Sequence, residues 1–418
     1  MTMAAPFRKD RLPNGIVVLT EQIPHVKSVA VGLWVRVGSR DEPARRAGTS
    51  HFIEHMLFKG TQRRSAEEIA RAIDAVGGTL DAFTSRESTC FYAKVLGEHL
   101  PLAVDLITDL LLHSRLDSDD IERERQVVLQ EIKMVEDDPG DLVHDLLAGA
   151  LWGDHPLGRP VLGNRQTLEA IGREDILAHL RDFYQPDRVI VAAAGDVDHA
   201  RLLDLLEGAT RDWRGKALPA NTSTPAARIA VARDGRDSAQ IHLCLGVEAM
   251  PYADPDRYAI YLLNAILGSS MSSRLFQEVR EKRGLAYSIY SYQQAYRDAG
   301  LFVIYAGTGP ETYQQVVDLI WGECRRLRDE PVDVEEFQRA KAQLKGNLLL
   351  GLESTNNRMT RLAKMEFYFG RTFDLDEIIH GIEGVTPETF RNVARRLFGA
   401  DAYTLTTIGP VPEPATVH

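Results

Sequence analysis

The chain repeats itself. A run of strand, helix and long-helix signals in the first half returns in the second at a shift of roughly 210 residues, and a period that long marks duplicated architecture. In the first half, 15–20 and 28–37 read as strands, the second alternating through Val29, Val31, Leu33, Val35 and Val37. A helix is predicted over 65–75, where Ser65 and Glu68 can form a capping box and Gly77-Gly78 follows. Strands at 79–84 and 89–95 come next, then helices at 100–113, 117–134, 141–151 and 173–184. The segment 165–171 reads as loop and cap, 188–194 as a buried strand and 199–208 as a short helix. The second half offers strands at 241–247, 285–292, 301–307 and 402–408 and helices at 256–267, 310–328, 333–352 and 386–397. Between the halves, 213–228 carries Gly215, Pro219, Asn221, Ser223 and Pro225 without periodicity and is the natural linker. The expected fold class is α+β, a pseudo-repeat of two homologous halves (1–212 and 229–418), each a mostly antiparallel sheet packed with helices.

The repeat fails where it is most informative. His51-Phe52-Ile53-Glu54-His55 opens a predicted helix that runs towards Gly60. Residues at i and i+4 share a helix face, so both imidazoles can reach one metal ion while Glu54 stands beside His55. This H-x-x-E-H order is the inverzincin signature. Gly48, Thr49 and Ser50 supply a start with a hydroxyl cap. A catalytic zinc site commonly adds a third protein ligand, and the long helix offers Glu122, Glu124, Glu131 and Glu136. Glu124 and Glu131 are seven apart on one face, with Val127, Val128 and Ile132 around them. Aligning Gly60 with Gly268 puts Ala259, Leu262 and Leu263 opposite His51, Glu54 and His55. Aligning Asp119-Asp120 with Glu335-Glu336 puts Ala340 and Asn347 opposite Glu124 and Glu131. The second half keeps the scaffold and drops the polar cluster, so the fold does not require the cluster, which strengthens a chemical role for it.

Composition narrows the partners. The net charge of -11 argues against nucleic-acid binding and fits a taste for cationic peptides. Cys90, Cys244 and Cys324 are widely spaced and odd in number, which points to a reducing compartment, the cytoplasm. No apolar signal segment follows Arg8, Lys9 and Arg11, and no run is long enough to span a membrane.

The stretches His51 to Thr61, Thr84-Ser85-Arg86-Glu87 and Arg125 to Glu131 closely resemble the M16 metallopeptidases, the pitrilysin and insulin-degrading enzyme family. The nearest branch looks like bacterial relatives of the mitochondrial processing peptidase β-subunit. The resemblance continues through Asp187 to Ile190, Gly195-Asp196-Val197, Gly268 to Phe276 and Gly284 to Tyr287. It implies a zinc endopeptidase in which His51, His55 and Glu131 hold Zn2+, Glu54 is the general base and Glu124 acts from behind the metal. It implies that Arg280 and Tyr287 contact the substrate backbone and the tetrahedral intermediate. It also implies that a peptide adds to the edge strand 79–84, with Asp81, Ala82 and Phe83 in contact and Phe83 lining the pocket by the cleaved bond. The family usually has Asn where this chain has Asp81, so either that contact is altered or a basic substrate group is preferred. Two such units per chain imply a homodimer with the site completed in trans. The substrates expected are short or unfolded peptides with basic residues; Glu174 and Asp175 are candidate anionic contacts. The competing reading is a non-catalytic subunit of a peptidase or respiratory-type complex, whose members have generally lost ligands.

Overall fold

The computed structural model describes residues 7–220, 223–400 and 402–411. In chain order the elements are β1 (Phe7–Arg11), β2 (Val17–Gln22), β3 (Ser28–Val35), α1 (Thr49–Leu57), α2 (Ala66–Asp74), β4 (Thr79–Thr84), β5 (Thr89–Leu96), α3 (Leu100–His113), α4 (Ser118–Asp137), α5 (Pro139–Trp152), α6 (Arg165–Ala170), α7 (Arg173–Phe183), β6 (Val189–Gly195) and α8 (His199–Thr210). They continue with β7 (Val231–Asp234), β8 (Ile241–Ala249), α9 (Arg257–Leu267), β9 (Ala286–Ala295), β10 (Gly300–Thr308), α10 (Tyr313–Asp329), α11 (Val334–Gly351), α12 (Thr355–Phe369), α13 (Leu375–Glu383), α14 (Pro387–Phe398) and β11 (Thr404–Ile408).

These elements build two mixed α/β units around two sheets. The first sheet has the order β1-β2-β6-β3-β5-β4, and the second has β7-β11-β8-β10-β9. Element for element the second order repeats the first, β1 being the extra strand. Each sheet is antiparallel except for one pair, β2 with β6 and β7 with β11. Both β4 and β9 end their sheets.

The compact units are Met1–Lys133 with Arg159–Thr222 and Gly351–Thr372, and Met134–Gly158 with Ser223–Leu350 and Phe373–His418. Relative to a division at 213–228, two segments change sides. In the first unit, α1, α3 and α8 cover one face of the sheet and α12 covers the other. Met359 of α12 packs so closely on Gly32 that a Cβ there would meet its Sδ at 3.2 Å and the Trp34 ring at 2.6 Å. In the second unit, α9, α10 and α14 pack on the sheet, and α5 closes the opposite face through Val143, Leu147, Leu151 and Trp152. Each unit thus borrows one helix from the other half of the sequence. Alternation along the strands requires such a second cover. Ala30 and Trp34 of β3 and Ala192 and Ala194 of β6 are buried, though they point away from the α1 side.

Several elements escaped the sequence pattern. The segment 165–171 is not loop: α6 forms over most of it, capped by Asn164, whose Oδ1 accepts from Thr167 N at 2.9 Å. β1 is largely exposed and almost entirely charged, so it shows no strand pattern. α12 opens Thr-Asn-Asn-Arg, with little apolar signal in its first turn, and its buried positions Met359, Leu362 and Ala363 are sparse. No helix among the described residues is long and apolar enough to cross a membrane.

Candidate metal centre

His51, Glu54 and His55 sit on α1, whose entry is held differently from the expected hydroxyl cap. Gly48 takes the N-cap position with φ 97°, and no side chain there caps the helix. A Cβ on Gly48 would lie 2.5 Å from the Leu162 carbonyl oxygen, so glycine is required by space as well as by φ. The orphan donors go instead to Glu42. Its two oxygens accept from Gly48 N at 2.7 Å and Ser50 N at 2.6 Å. Burial pushes the Glu42 carboxyl up to about 7, against the pull of the Ser50 and Gly48 donors. Thr49 turns its hydroxyl back to the Arg46 carbonyl at 2.7 Å. When ionised, a carboxylate beneath the first turn also suits the helix dipole.

Three donors converge at one point. Nε2 of His51 and Nε2 of His55 lie 3.7 and 3.5 Å from Glu131 Oε2. One ligand atom from each of the three residues falls within 4.8 Å of the others, the only such His, Cys, Asp and Glu group found among the described residues. Two imidazoles and a carboxylate are a known catalytic zinc set, and tetrahedral sites with ligand bonds of roughly 2.0–2.2 Å place donors a little over 3 Å apart. Burial, then the neighbouring His55, lowers the His51 pKa to about 4, so this ring is neutral near pH 7 and keeps a lone pair to donate. His55 Nδ1 meets Glu124 Oε2 at 3.2 Å, which leaves Nε2 as the lone-pair nitrogen. The donor set therefore fits zinc.

Glu124 and Glu131 differ in setting. Glu124 is buried, and its other oxygen pairs with Lys59 Nζ at 2.6 Å. Glu131 is about one third exposed at the side chain and opens the site to solvent. Of the apolar residues expected around them, Val128 and Ile132 are buried, but Val127 is 44% exposed. Glu122 pairs with Arg125 instead, at 2.9 Å. Glu54 lies beside the cluster. Its Oε2 accepts from the Thr84 hydroxyl at 2.5 Å, and burial raises its pKa against the pull of Thr84 and His55, while Asp81 and Glu131 add to the rise.

Strand β4 pairs with β5 and has no partner on its other side among the described residues. Leu80, Ala82 and Thr84 lie on its more buried side, Asp81 and Phe83 on its exposed side. Asp81 accepts from the Tyr92 hydroxyl at 3.1 Å and from Ala82 N at 2.8 Å. Phe83, 38% exposed, sits 6.2 Å from the Tyr92 ring. Arg280 and Tyr287 belong to the second unit. Arg280 lies in a π-helical turn over Phe276–Glu281, with its guanidinium 5.0 Å from the ring of Tyr287, which is 77% exposed at the start of β9. Asp175 is committed elsewhere: it pairs with Arg46 and caps α7 through Gly172 N at 3.0 Å.

Comparison with known proteins decides the family. The model for insulinase, peptidase family M16, matches residues 17–165, and that for the peptidase M16 inactive domain matches 170–344. The chain belongs to peptidase family M16. An uncharacterized zinc protease of Streptomyces coelicolor is 43% identical over 414 residues, covering 97% of this chain and 90% of the relative. The uncharacterized zinc protease YmxG of Bacillus subtilis is 42% identical over 397 residues, covering 95% and 97%. In fold the chain matches a peptidase M16 inactive domain from Pseudomonas fluorescens (TM-score 0.91, 21% identity, 99% of this chain and 100% of that one). It matches a protease from Helicobacter pylori equally well (TM-score 0.91, 22% identity, 97% and 99%). The M16 assignment agrees with the layout seen here: the donor cluster lies in the first matched region, and the second is the one whose family description reads inactive.

Sequence reasoning missed Glu42, Lys59 and Thr84. Glu42 acts six and eight residues away, through backbone donors, so no spacing rule reports it. Lys59 had a signal, since it stands four residues after His55, but the helix ends at Leu57 and the contact depends on the chain's exit. Thr84 opens one of the stretches that carry the family resemblance, but its hydroxyl contact to Glu54 depends on where the end of β4 meets α1.

Proposed function

We propose that this M16 protein is a zinc-dependent endopeptidase cutting short or unfolded peptides, with a preference for basic residues. The observation that carries the reading is the convergence of His51, His55 and Glu131 on one point with Glu54 alongside. Zinc held by these three would act as a Lewis acid towards water and the scissile carbonyl. Glu54 takes the proton from the attacking water and delivers it to the leaving amine; its partly desolvated carboxyl suits a group that must both accept and donate. Glu124, braced by Lys59, holds the His55 ring and its tautomer. The free edge of β4 receives the peptide as an added strand beside Asp81, Ala82 and Phe83. The acidic groups Asp81, Glu54 and Glu131 favour cationic side chains there.

Arg280 and Tyr287 supply donors for the substrate backbone and the developing oxyanion. We assign these to the partner chain of a homodimer, as the family resemblance of a two-unit chain suggests; because one chain carries both the donor cluster and the pair, no different subunit is needed. Three buried, unpaired cysteines suit a cytoplasmic enzyme. The test is Glu54→Gln, measured for zinc content and for cleavage of an Arg-containing quenched peptide. Zinc should stay at one per chain while turnover falls about 10²- to 10⁴-fold; loss of the metal, or retained turnover, removes Glu54 from this role. Mixing Glu54→Gln chains with Arg280→Ala chains should restore part of the activity, and no rescue contradicts the shared site.

A further inference from the structure

We infer that Thr84 is a positioning residue for the base, and that the strand receiving the peptide is also the element that aims Glu54. The inference rests on the zinc-peptidase reading. Thr84 is the last residue of β4, and its hydroxyl donates to Glu54 Oε2 at 2.5 Å, the length of a charge-assisted O–H···O bond. This engages one carboxylate oxygen and leaves the other to exchange a proton with water and then with the leaving amine. A free glutamate has three side-chain torsions; a glutamate tied at one oxygen presents the other at a fixed place.

Thr84 can do this because the turn that follows it is pinned from several sides. Ser85 N donates to Ser88 O at 2.8 Å, and the Ser85 hydroxyl donates to the same oxygen at 2.9 Å. Ser39 N and Arg40 N donate to the carbonyls of Ser85 and Arg86 at 3.2 and 2.9 Å. Arg40 and Glu87 form an ion pair at 2.8 Å with both side chains almost fully buried, and the Tyr368 hydroxyl of α12 donates to Glu87 at 3.1 Å. A buried charge pair fixes geometry better than a surface pair, because breaking it leaves an uncompensated charge. Helix α12, which reaches this unit from the second half of the sequence, therefore helps to hold the turn from which Thr84 aims the base.

A peptide added along the free edge of β4 would be placed by the same rigid strand that places Glu54. Register and base position would then be set together rather than by two independent loops. Thr84→Val keeps the shape and β-branching of the side chain and removes the donor.

The experiment compares wild type, Thr84→Val and Thr84→Ser for kcat and KM on one peptide, for zinc content and for thermal midpoint. Thr84→Val should lower kcat about 10- to 100-fold, the usual cost of losing an orienting partner, with KM changed less than about threefold and zinc retained. Thr84→Ser, which keeps the hydroxyl, should recover most of kcat. Unchanged kcat in Thr84→Val overturns the inference, and so does a loss that Thr84→Ser fails to recover while the thermal midpoint is intact. If wild type fails to cleave, or Glu54→Gln cleaves normally, the zinc-peptidase reading itself fails, a result distinct from either outcome at Thr84.

Discussion

The two units share the order of five strands, with β1, α2 and α8 as additions in the first, yet they spend one position of the fold in opposite ways. On α1, Phe52, Ile53, Met56 and Leu57 face the core, while His51, Glu54 and His55 stay partly open to solvent. On α9 the corresponding residues Ala259, Leu262 and Leu263 are 1%, 0% and 0% exposed and belong to the second core. On the long helices, Glu124 is buried as deeply as its counterpart Ala340, at 6% and 4% exposure. The fold is content with apolar side chains at these places. A buried carboxylate costs several kcal/mol unless paired, and the first unit meets that cost through Lys59 and His55. The second unit is thus a record of what the scaffold does without the donor cluster, and the first shows what it gives up to carry one.

Transplanting the second unit's choices into the first is the strongest way to break this comparison. His51→Ala, Glu54→Leu and His55→Leu combined should abolish zinc binding and cleavage. The same variant should stabilise the metal-free chain by about 1–3 kcal/mol in denaturant titration, because partly desolvated polar groups are replaced by apolar ones. A less stable metal-free variant would mean that the cluster supports the fold in its own right. A milder change is Glu124→Gln, which keeps the size but weakens the hold on His55 and strands Lys59. Zinc affinity by chelator competition should drop about 10- to 100-fold, and an unaltered affinity would reduce Glu124 to a space-filler.

The helix exchange sharpens the comparison differently. Proteolytic or genetic cutting within 213–228 should leave two fragments that co-elute in gel filtration, because α5 belongs to one unit and α12 to the other. Independent elution of two folded fragments would refute that. The last effect concerns pH and touches stability alone. His179 on α7 is buried, and burial lowers its pKa from 6.5 to about 4. The folded state therefore resists a proton that the unfolded chain accepts. Stability is full above about 6.5 and is lost as pH falls towards 4, by up to about 3 kcal/mol. Thermal midpoints of His179→Gln should decline less steeply across that window than those of wild type.

Much of this was legible in the residues. The 3.6-residue and two-residue periodicities located the strands and helices that pack on their own half of the sequence, and His51, Glu54, His55 and Glu131 were marked by spacing and family resemblance. The unread part depends on distance along the chain. α12 shows a faint pattern because its apolar residues answer to a sheet more than 150 residues upstream, and nothing local says that Met359 meets Gly32. The cap on α1 was misread for the same reason, since hydroxyls at 49 and 50 look like caps until Glu42 is brought beneath the helix.

The most direct measurement is cleavage of an Arg-containing quenched peptide by the purified chain alone, before and after zinc is stripped by a chelator and returned. The expected result is one zinc per chain, loss of cleavage with the metal and recovery on adding it back. Cleavage that persists without zinc, or a chain that binds none, would contradict the account.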